Sequence, residues 1–461
     1  MTIRRRLRSL AWITSGFFKK RKRILFASGL IGVVGFLFIT QILPVLPQPK
    51  PTVRIGMVGR YTWETLPEPI YQQVGKGLTA VLPDGSVVPS LSEKWEVSDK
   101  GQVYTFTLRE NLTWQDGEPL RASDLRYPFT DVEVTAPNER TVEFRLKEPF
   151  APFPTIVRIP VFKDKLKGTG PYQIKAIKQQ GEVIERIILS GQQRNLVYRF
   201  YPTLTLAVQG FKLGEVDTLQ DVFEVPLSQD WQEKVEVEKR TRTDQYVGLF
   251  FNLKHPLLGD KSARQALGYA TKKDFGGLKR AVGPISPDSW AFNPDVKTYD
   301  FDADRAKELF DSLFIQGAEA TESAVPLPNK ADVNLTISAT PSLFPIAEAI
   351  KSNWEEVLGI RVQVTATNTV SPDFEVLLIG QEIFPDPDQY PLWHSTQPQN
   401  LTHYQSPKVD KLLEDARQIL DQAKRKERYL DFQRFLVEDS PVVFLYHPET
   451  FTISRRSAAA K

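Results

Sequence analysis

The stretch from Phe374 to Trp393, FEVLLIGQEIFPDPDQYPLW, restricts the possible folds more than any other part of the chain. It begins as an apolar run, Phe374 and Val376 to Ile379, broken only by Glu375. A run that short, closed by Gly380, reads as a strand of a sheet covered on both faces. The residues after it cannot extend that strand, because Pro385, Pro387 and Pro391 remove backbone donors and fix φ. Glu382, Asp386, Asp388 and Gln389 add polar groups there, and Tyr390 and Trp393 add flat amphipathic faces. In open α/β sheets ligands collect in the crevice beyond the carboxyl ends of strands. The loop is therefore either a ligand loop or a surface loop stiffened by prolines.

With 461 residues the chain exceeds a single ordinary core, so two or more lobes are expected. It has no cysteine, which excludes disulfides, thiolate metal sites, a cysteine nucleophile and lipid attachment through cysteine. Charge is unevenly placed. Residues 1–23 hold nine basic side chains and no acid, leaving 50 basic against 56 acidic residues, a net −6, in the remainder. That remainder has no basic face for nucleic acid.

Ile24 to Leu43, ILFASGLIGVVGFLFITQIL, carries no charge. As a helix rising about 1.5 Å per residue it covers about 30 Å, the thickness of a bilayer's hydrocarbon core. Arg4–Arg6, Arg8 and Lys19–Arg23 precede it, so the positive-inside rule places the N-terminus in the cytoplasm and the body outside. The stretch is read as an uncleaved transmembrane anchor, with a cleaved signal peptide as the competing reading. Pro44, Pro47, Pro49 and Pro51 make a stiff spacer after it.

Beyond the spacer, Val53–Val58 reads as a strand, and the turn after it carries Tyr61 and Trp63. A helix from Pro69 stops at Gly75 or Gly77. Asp84-Gly85 turns between short strands, and Val103–Leu108 alternates as a half-buried strand. Gly85 to Leu125, GSVVPSLSEKWEVSDKGQVYTFTLRENLTWQDGEPLRASDL, resembles the entry segment of the extracytoplasmic solute-binding proteins of peptide and nickel ABC importers, family 5. The resemblance rests on Glu93 with Trp95, Tyr104 and Phe106, Trp114 with Asp116-Gly117, and Ala122–Asp124 at fixed spacings. It continues through the GTGPY turn Gly168–Tyr172, the strand-end Asn252 with the helix opening at Ala263, the helix Ile346 to Trp354 ended by Gly359, and the closing helices from Val409.

That resemblance implies an α/β, two-lobed periplasmic-binding-protein-like fold of type II. Lobe 1 is expected over 53–245, with a reduced accessory region at about 81–167, and lobe 2 over 246–439. Residues 440–461 are expected to return to lobe 1 through a strand near Pro441–Tyr446, after the basic segment 1–23, the anchor 24–43 and the linker 44–52. The chain departs from the family in its short accessory region and in the polar insert Gln316–Asp332. It also departs in the loop itself, where Ile383 stands at the position of the aspartate that peptide-binding relatives use to hold a ligand's amino group. An isoleucine cannot pair with an ammonium.

No hydrolase elbow, phosphate loop or metalloprotease helix is present, and no metal or cofactor site is read from the sequence. His394 and His403 flank the loop without a ligand pattern. The reading is a membrane-anchored, non-enzymatic binding component of an ABC importer. It takes a peptide or similar small solute between its lobes and hands it to permease subunits. The expected cleft residues are Tyr61 and Trp63 from lobe 1, and Glu382, Ile383, Asp386 and Trp393 from lobe 2. A surface scaffold that kept the fold and lost import is the alternative.

Overall fold

A computed structural model of the protein describes residues 22–42, 50–163, 166–316 and 330–456. The basic residues before Lys22, the end of the apolar stretch at Leu43, most of the proline spacer, the insert from 317 to 329 and the tail beyond Arg456 lie outside the described residues. The N-terminal segment forms a helix, Lys22–Leu37, that widens into a π turn, Phe38–Ile42. Phe26, Ile31 and Phe36 on it are exposed. Among the described residues no helix is long and apolar enough to cross a membrane.

The body contains three main sheets. The first has seven strands, in the order Val235–Thr241, Glu449–Arg455, Thr218–Val222, Thr52–Val58, Asn195–Tyr201, Val183–Gly191 and Tyr172–Gln180. Its centre is parallel, with Ile55 opposite Thr218, and its flanks are antiparallel. The second has five strands, Arg361–Ala366, Asn334–Ala339, Val376–Glu382, Gln245–Phe251 and Val442–Tyr446. The third is an antiparallel four-stranded sheet, Ser92–Ser98, Val103–Leu108, Thr141–Leu146 and Val132–Asn138. It encloses its own core around Tyr104, Phe106, Phe144 and Phe153.

The apolar run that opens the loop is the middle strand of the five-stranded sheet, as its composition requires. Val376 and Leu378 face one core with Trp354 and Phe310, while Leu377 faces the other with Tyr429 and Phe432. Phe250 and Phe251 divide between the same two cores. Helices Phe344–Leu358 and Lys261–Tyr269 cover one face, and Pro407–Gln418 and Gln422–Asp439 belong to the other. Their ends follow local chemistry. Gly359 takes the left-handed φ of 69° that stops its helix, and the Asp260 carboxylate accepts from Ser262 and Ala263 N–H at the start of Lys261–Tyr269.

The chain's final return differs from the expectation. Val442–Tyr446 is not a strand of the seven-stranded sheet. It pairs with Gln245–Phe251 in the five-stranded one. Its unbroken apolar sequence, VVFLY, is buried at every position, which a strand covered on both sides requires. The return to the seven-stranded sheet is made by Glu449–Arg455, which buries only Thr450 and Ile453.

Candidate functional site

The loop after Glu382 is built from the inside outward. Ile383 donates its N–H to the Asp244 carbonyl at 2.8 Å, and its side chain joins the apolar core of Tyr246, Phe250 and Phe444 at 8% exposure. Asp386 and Asp388 each accept a backbone N–H two residues on, at 2.9 and 3.2 Å, which is Asx-turn geometry. Each also has an arginine. Arg425 grips Asp386 with two bonds of 2.9 and 2.5 Å, and Arg417 grips Asp388 from Nε and Nη2. Asp386 is therefore committed to ordering the loop. Trp393 is 2% exposed and stacks on Phe250, with centroids 6.3 Å apart and planes at 12°. It is a core side chain, whereas the exposed aromatic of this loop is Phe384.

The opposing pair grows from the strand Thr52–Val58. Gly59 has φ of +148°, and a Cβ there would lie 2.6 Å from the Tyr61 ring. Glycine thus lets Tyr61 fold back, donate its hydroxyl to the Val58 carbonyl at 3.0 Å, and pack edge-on against Phe200. Burial raises the pKa of the Tyr61 hydroxyl, and the nearby charge of Asp221 adds to the rise. Trp63 is half-buried with Tyr71, their centroids 6.4 Å apart, over Leu66, Ile70 and Phe162.

Between these groups the backbone crosses twice from one sheet to the other. Thr241 leads through Arg242–Asp244 to Gln245, and Tyr446 leads through His447-Pro448 to Glu449. The crossings lie side by side, because Arg242 N–H donates to the Pro448 carbonyl at 2.8 Å and His447 Nδ1 lies 2.6 Å from the Gln245 carbonyl. Arg242 binds Asp244 with bonds of 2.8 and 2.9 Å. That bond chiefly raises the Arg242 pKa against burial, and the charges of Asp221 and Glu382 add to it. Burial pushes the Asp244 carboxyl up, but Arg242 outweighs burial and the net direction is down.

Tyr61 and Glu382 thus share an electrostatic neighbourhood at the crossing, while Ile383, Asp386 and Trp393 turn into the five-stranded body. Asp221, Arg242 and Asp244 were missed from sequence. The one local signal was Asp221 one residue before the end of the strand Thr218–Val222, where it adopts a left-handed φ of 53°. His394 stacks on Tyr390 at 4.1 Å and contacts Thr396, and among the described residues no His, Asp and Glu cluster is arranged to hold a metal.

The crossing carries its own pH signature. Burial lowers the His447 pKa below the ordinary histidine value; the Gln245 carbonyl, Asp288 and Asp244 oppose this, and Lys279 reinforces it. The unfolded chain therefore takes up this proton first as pH falls below about 6.5, so the contribution to stability is present above that pH and is lost below it. Comparing urea midpoints at about pH 7 and about pH 5, the parent chain is expected to lose more stability than His447→Gln. Equal losses in the two chains would exclude this role.

Three comparisons bear on the arrangement. The profile of the bacterial extracellular solute-binding proteins, family 5, matches residues 86–400. The probable D,D-dipeptide-binding periplasmic protein DdpA of Escherichia coli (strain K12) is 24% identical over 428 residues, covering 77% of this chain and 78% of that protein. The dipeptide-binding protein of the same organism is 23% identical and covers 80% and 82%. Among solved structures, NikZ from Campylobacter jejuni in complex with Ni(L-His) matches with a TM-score of 0.71 and 23% identity, covering 89% of this chain and 95% of its own. AppA from Bacillus subtilis with a nonapeptide gives 0.66 and 19%, over 89% and 95%. At these identities the structural likeness establishes the fold alone, a mixed α/β fold of the kind found in periplasmic binding proteins.

Proposed function

The chain belongs to the bacterial extracellular solute-binding proteins, family 5, which bind a solute and are not enzymes; from that premise we propose that it is the capturing component of an ABC importer for a peptide or similar small solute. Lobe 1, residues 53–245 with the returning strand Glu449–Arg455, and lobe 2, residues 246–439 with the strand Val442–Tyr446, close on the solute, and the closed form delivers it to permease subunits. The observation that carries this reading is the pair of hydrogen-bonded crossings at Arg242–Gln245 and Tyr446–Glu449, two parallel straps about which two sheets can rotate. Clefts between such bodies are favoured ligand sites.

Tyr61 and Trp63 line the lobe 1 side. Glu382 faces them from lobe 2, on a wall that Ile383, Asp386 and Trp393 hold in shape. Two of the similar proteins carry dipeptide in their names, and the solved relatives hold Ni(L-His) or a nonapeptide. A short peptide or a small metal chelate is therefore the class to try first. The apolar, uncharged stretch Ile24–Leu43, helical over most of its length, anchors the chain, with the basic residues inside and the body outside.

The test is native mass spectrometry of the full chain in detergent, followed by titration with the solute it releases. The parent is expected to carry a discrete small molecule, and Trp63→Ala and Glu382→Gln are each expected to weaken its binding at least about tenfold, or about 1.4 kcal/mol. Unchanged affinity in both variants would remove those residues from the site. A chain that never retains a solute but captures a surface protein would favour the scaffold reading.

A further inference from the structure

The Pro385–Asp388 turn touches more than its own arginines. Its outer side meets the body built on the four-stranded sheet. The Thr155 hydroxyl donates to Asp386 Oδ2 at 3.4 Å, so one carboxylate serves Arg425 inside the five-stranded body and Thr155 outside it. Gly85, at the tip of the hairpin Thr79–Pro89, lies so close to the Pro385 carbonyl that a Cβ on it would sit 2.8 Å from that oxygen. Beside it, Trp290 N–H donates to the Asp84 carbonyl at 2.9 Å. Farther along, Ala151 N–H donates to the Arg417 carbonyl at 2.6 Å. The Arg417 guanidinium, pinned by Asp388, lies between Tyr390 at 3.9 Å and Phe150 at 5.3 Å. Leu420 completes the line against Gly101.

We infer that the Pro385–Asp388 turn is a latch that joins the four-stranded body to the five-stranded body and holds the two together without a solute. The inference rests on the two-lobed reading above. Its parts are suited to the task. Two arginines of the closing helices fix the turn on one side, so it presents the Pro385 carbonyl and the Asp386 carboxylate as a rigid edge. Among the described residues the contacts across that edge include two backbone hydrogen bonds, one hydroxyl, one stacked cation, one leucine and the close approach of Gly85 to the Pro385 carbonyl. A hinge loaded this way favours the closed form before ligand arrives. That lowers the cost of closure on binding and raises apparent affinity in proportion to the competent fraction.

The absence of cysteine makes a direct test possible. Spin labels on Glu133→Cys, in the four-stranded sheet, and Lys424→Cys, on the C-terminal helix, report the separation of the two bodies by dipolar spectroscopy on the solute-free full chain. Both positions are exposed. Gly85→Asn is the opening variant. Asparagine tolerates the positive φ of 81°, but its Cβ must displace the Pro385 carbonyl. Gly117→Asn is the matched control, with φ of +86° and no atom within 4 Å of the added Cβ.

The parent and Gly117→Asn are expected to give the same single, narrow distance. Gly85→Asn is expected to give a longer and broader one. Should Gly85→Asn fail to fold, Phe150→Ala with Leu420→Ala takes its place and is expected to give the longer and broader distance. A parent distribution that is already long and broad, or an opening variant superimposable on the parent, overturns the latch. No solute enters the measurement. A chain that binds nothing can keep its latch, and a chain that binds well can prove to lack one.

Discussion

Arg425→Ala is expected to cost about 3–5 kcal/mol of stability, the range for breaking a buried ion pair from one side. Arg425 is 6% exposed in the first turn of the last long helix, Gln422–Asp439. Besides the two bonds to Asp386, it donates from Nε to the Ala416 carbonyl at 3.0 Å and from Nη2 to the Tyr429 hydroxyl at 2.9 Å. Truncation removes all of these at once. The Asp386 carboxylate stays buried, with the Asp388 N–H and the Thr155 hydroxyl as its remaining donors. Arg425→Lys is expected to retain the charge but lose the planar fork, and to fall between the parent and Arg425→Ala. Denaturant unfolding of the four chains of a cycle with Asp386→Ala measures the coupling. Removing both partners is expected to cost much less than the sum of the single losses, because no unpaired charge remains. A single-variant loss under about 1 kcal/mol would show that the pair is solvated.

This pair also shows where sequence reading stops. The strand leading to the loop was legible because burial on both faces demands an unbroken apolar run, and Val376 to Leu378 supply it. The helix end at Gly359 was legible because the backbone leaves unpaired groups that only a few residue types satisfy, whereas the Asp260 cap was not read. The partners of Asp386 and Asp388 lie 39 and 29 residues away, beyond any local rule. One trace of them did exist. Arg425 falls in register with Tyr429, Phe432 and Leu436, an arginine on the buried stripe of a helix, and such a residue requires an acid across the core.

The site was read too generously for the opposite reason. An aromatic after a proline turn, such as Trp393, looks the same in sequence whether it faces a cleft or a core, and only tertiary packing separates the cases. The contact of the four-stranded body with the loop was not legible either. That contact depends on backbone atoms of Asp84, Ala151 and Pro385, whose positions no side-chain pattern reveals.

Trp354→Ala is the second substitution expected to act strongly, for reasons that belong to the other face of the same sheet. Trp354 is fully buried against Phe251, and its indole N–H donates to the Leu267 carbonyl at 3.1 Å and the Thr271 hydroxyl at 2.9 Å. Truncation opens a cavity between the helix Phe344–Leu358 and the helix Lys261–Tyr269, and a loss of about 3–5 kcal/mol is expected. Trp354→Phe keeps most of the volume. The Leu267 carbonyl still accepts from the Thr271 hydroxyl at 2.7 Å, so the loss should be nearer about 1–3 kcal/mol, set by the emptied space and the missing donor. Trp354 and Arg425 lie on opposite faces of the five-stranded sheet and share no partner. Combining Trp354→Phe with Arg425→Ala should therefore give the sum of the two losses to within about 0.5 kcal/mol in denaturant unfolding. A larger departure would mean that the two cores communicate through the Phe250-Phe251 strand. The turn that carries the latch would then respond to packing on the far side of the sheet.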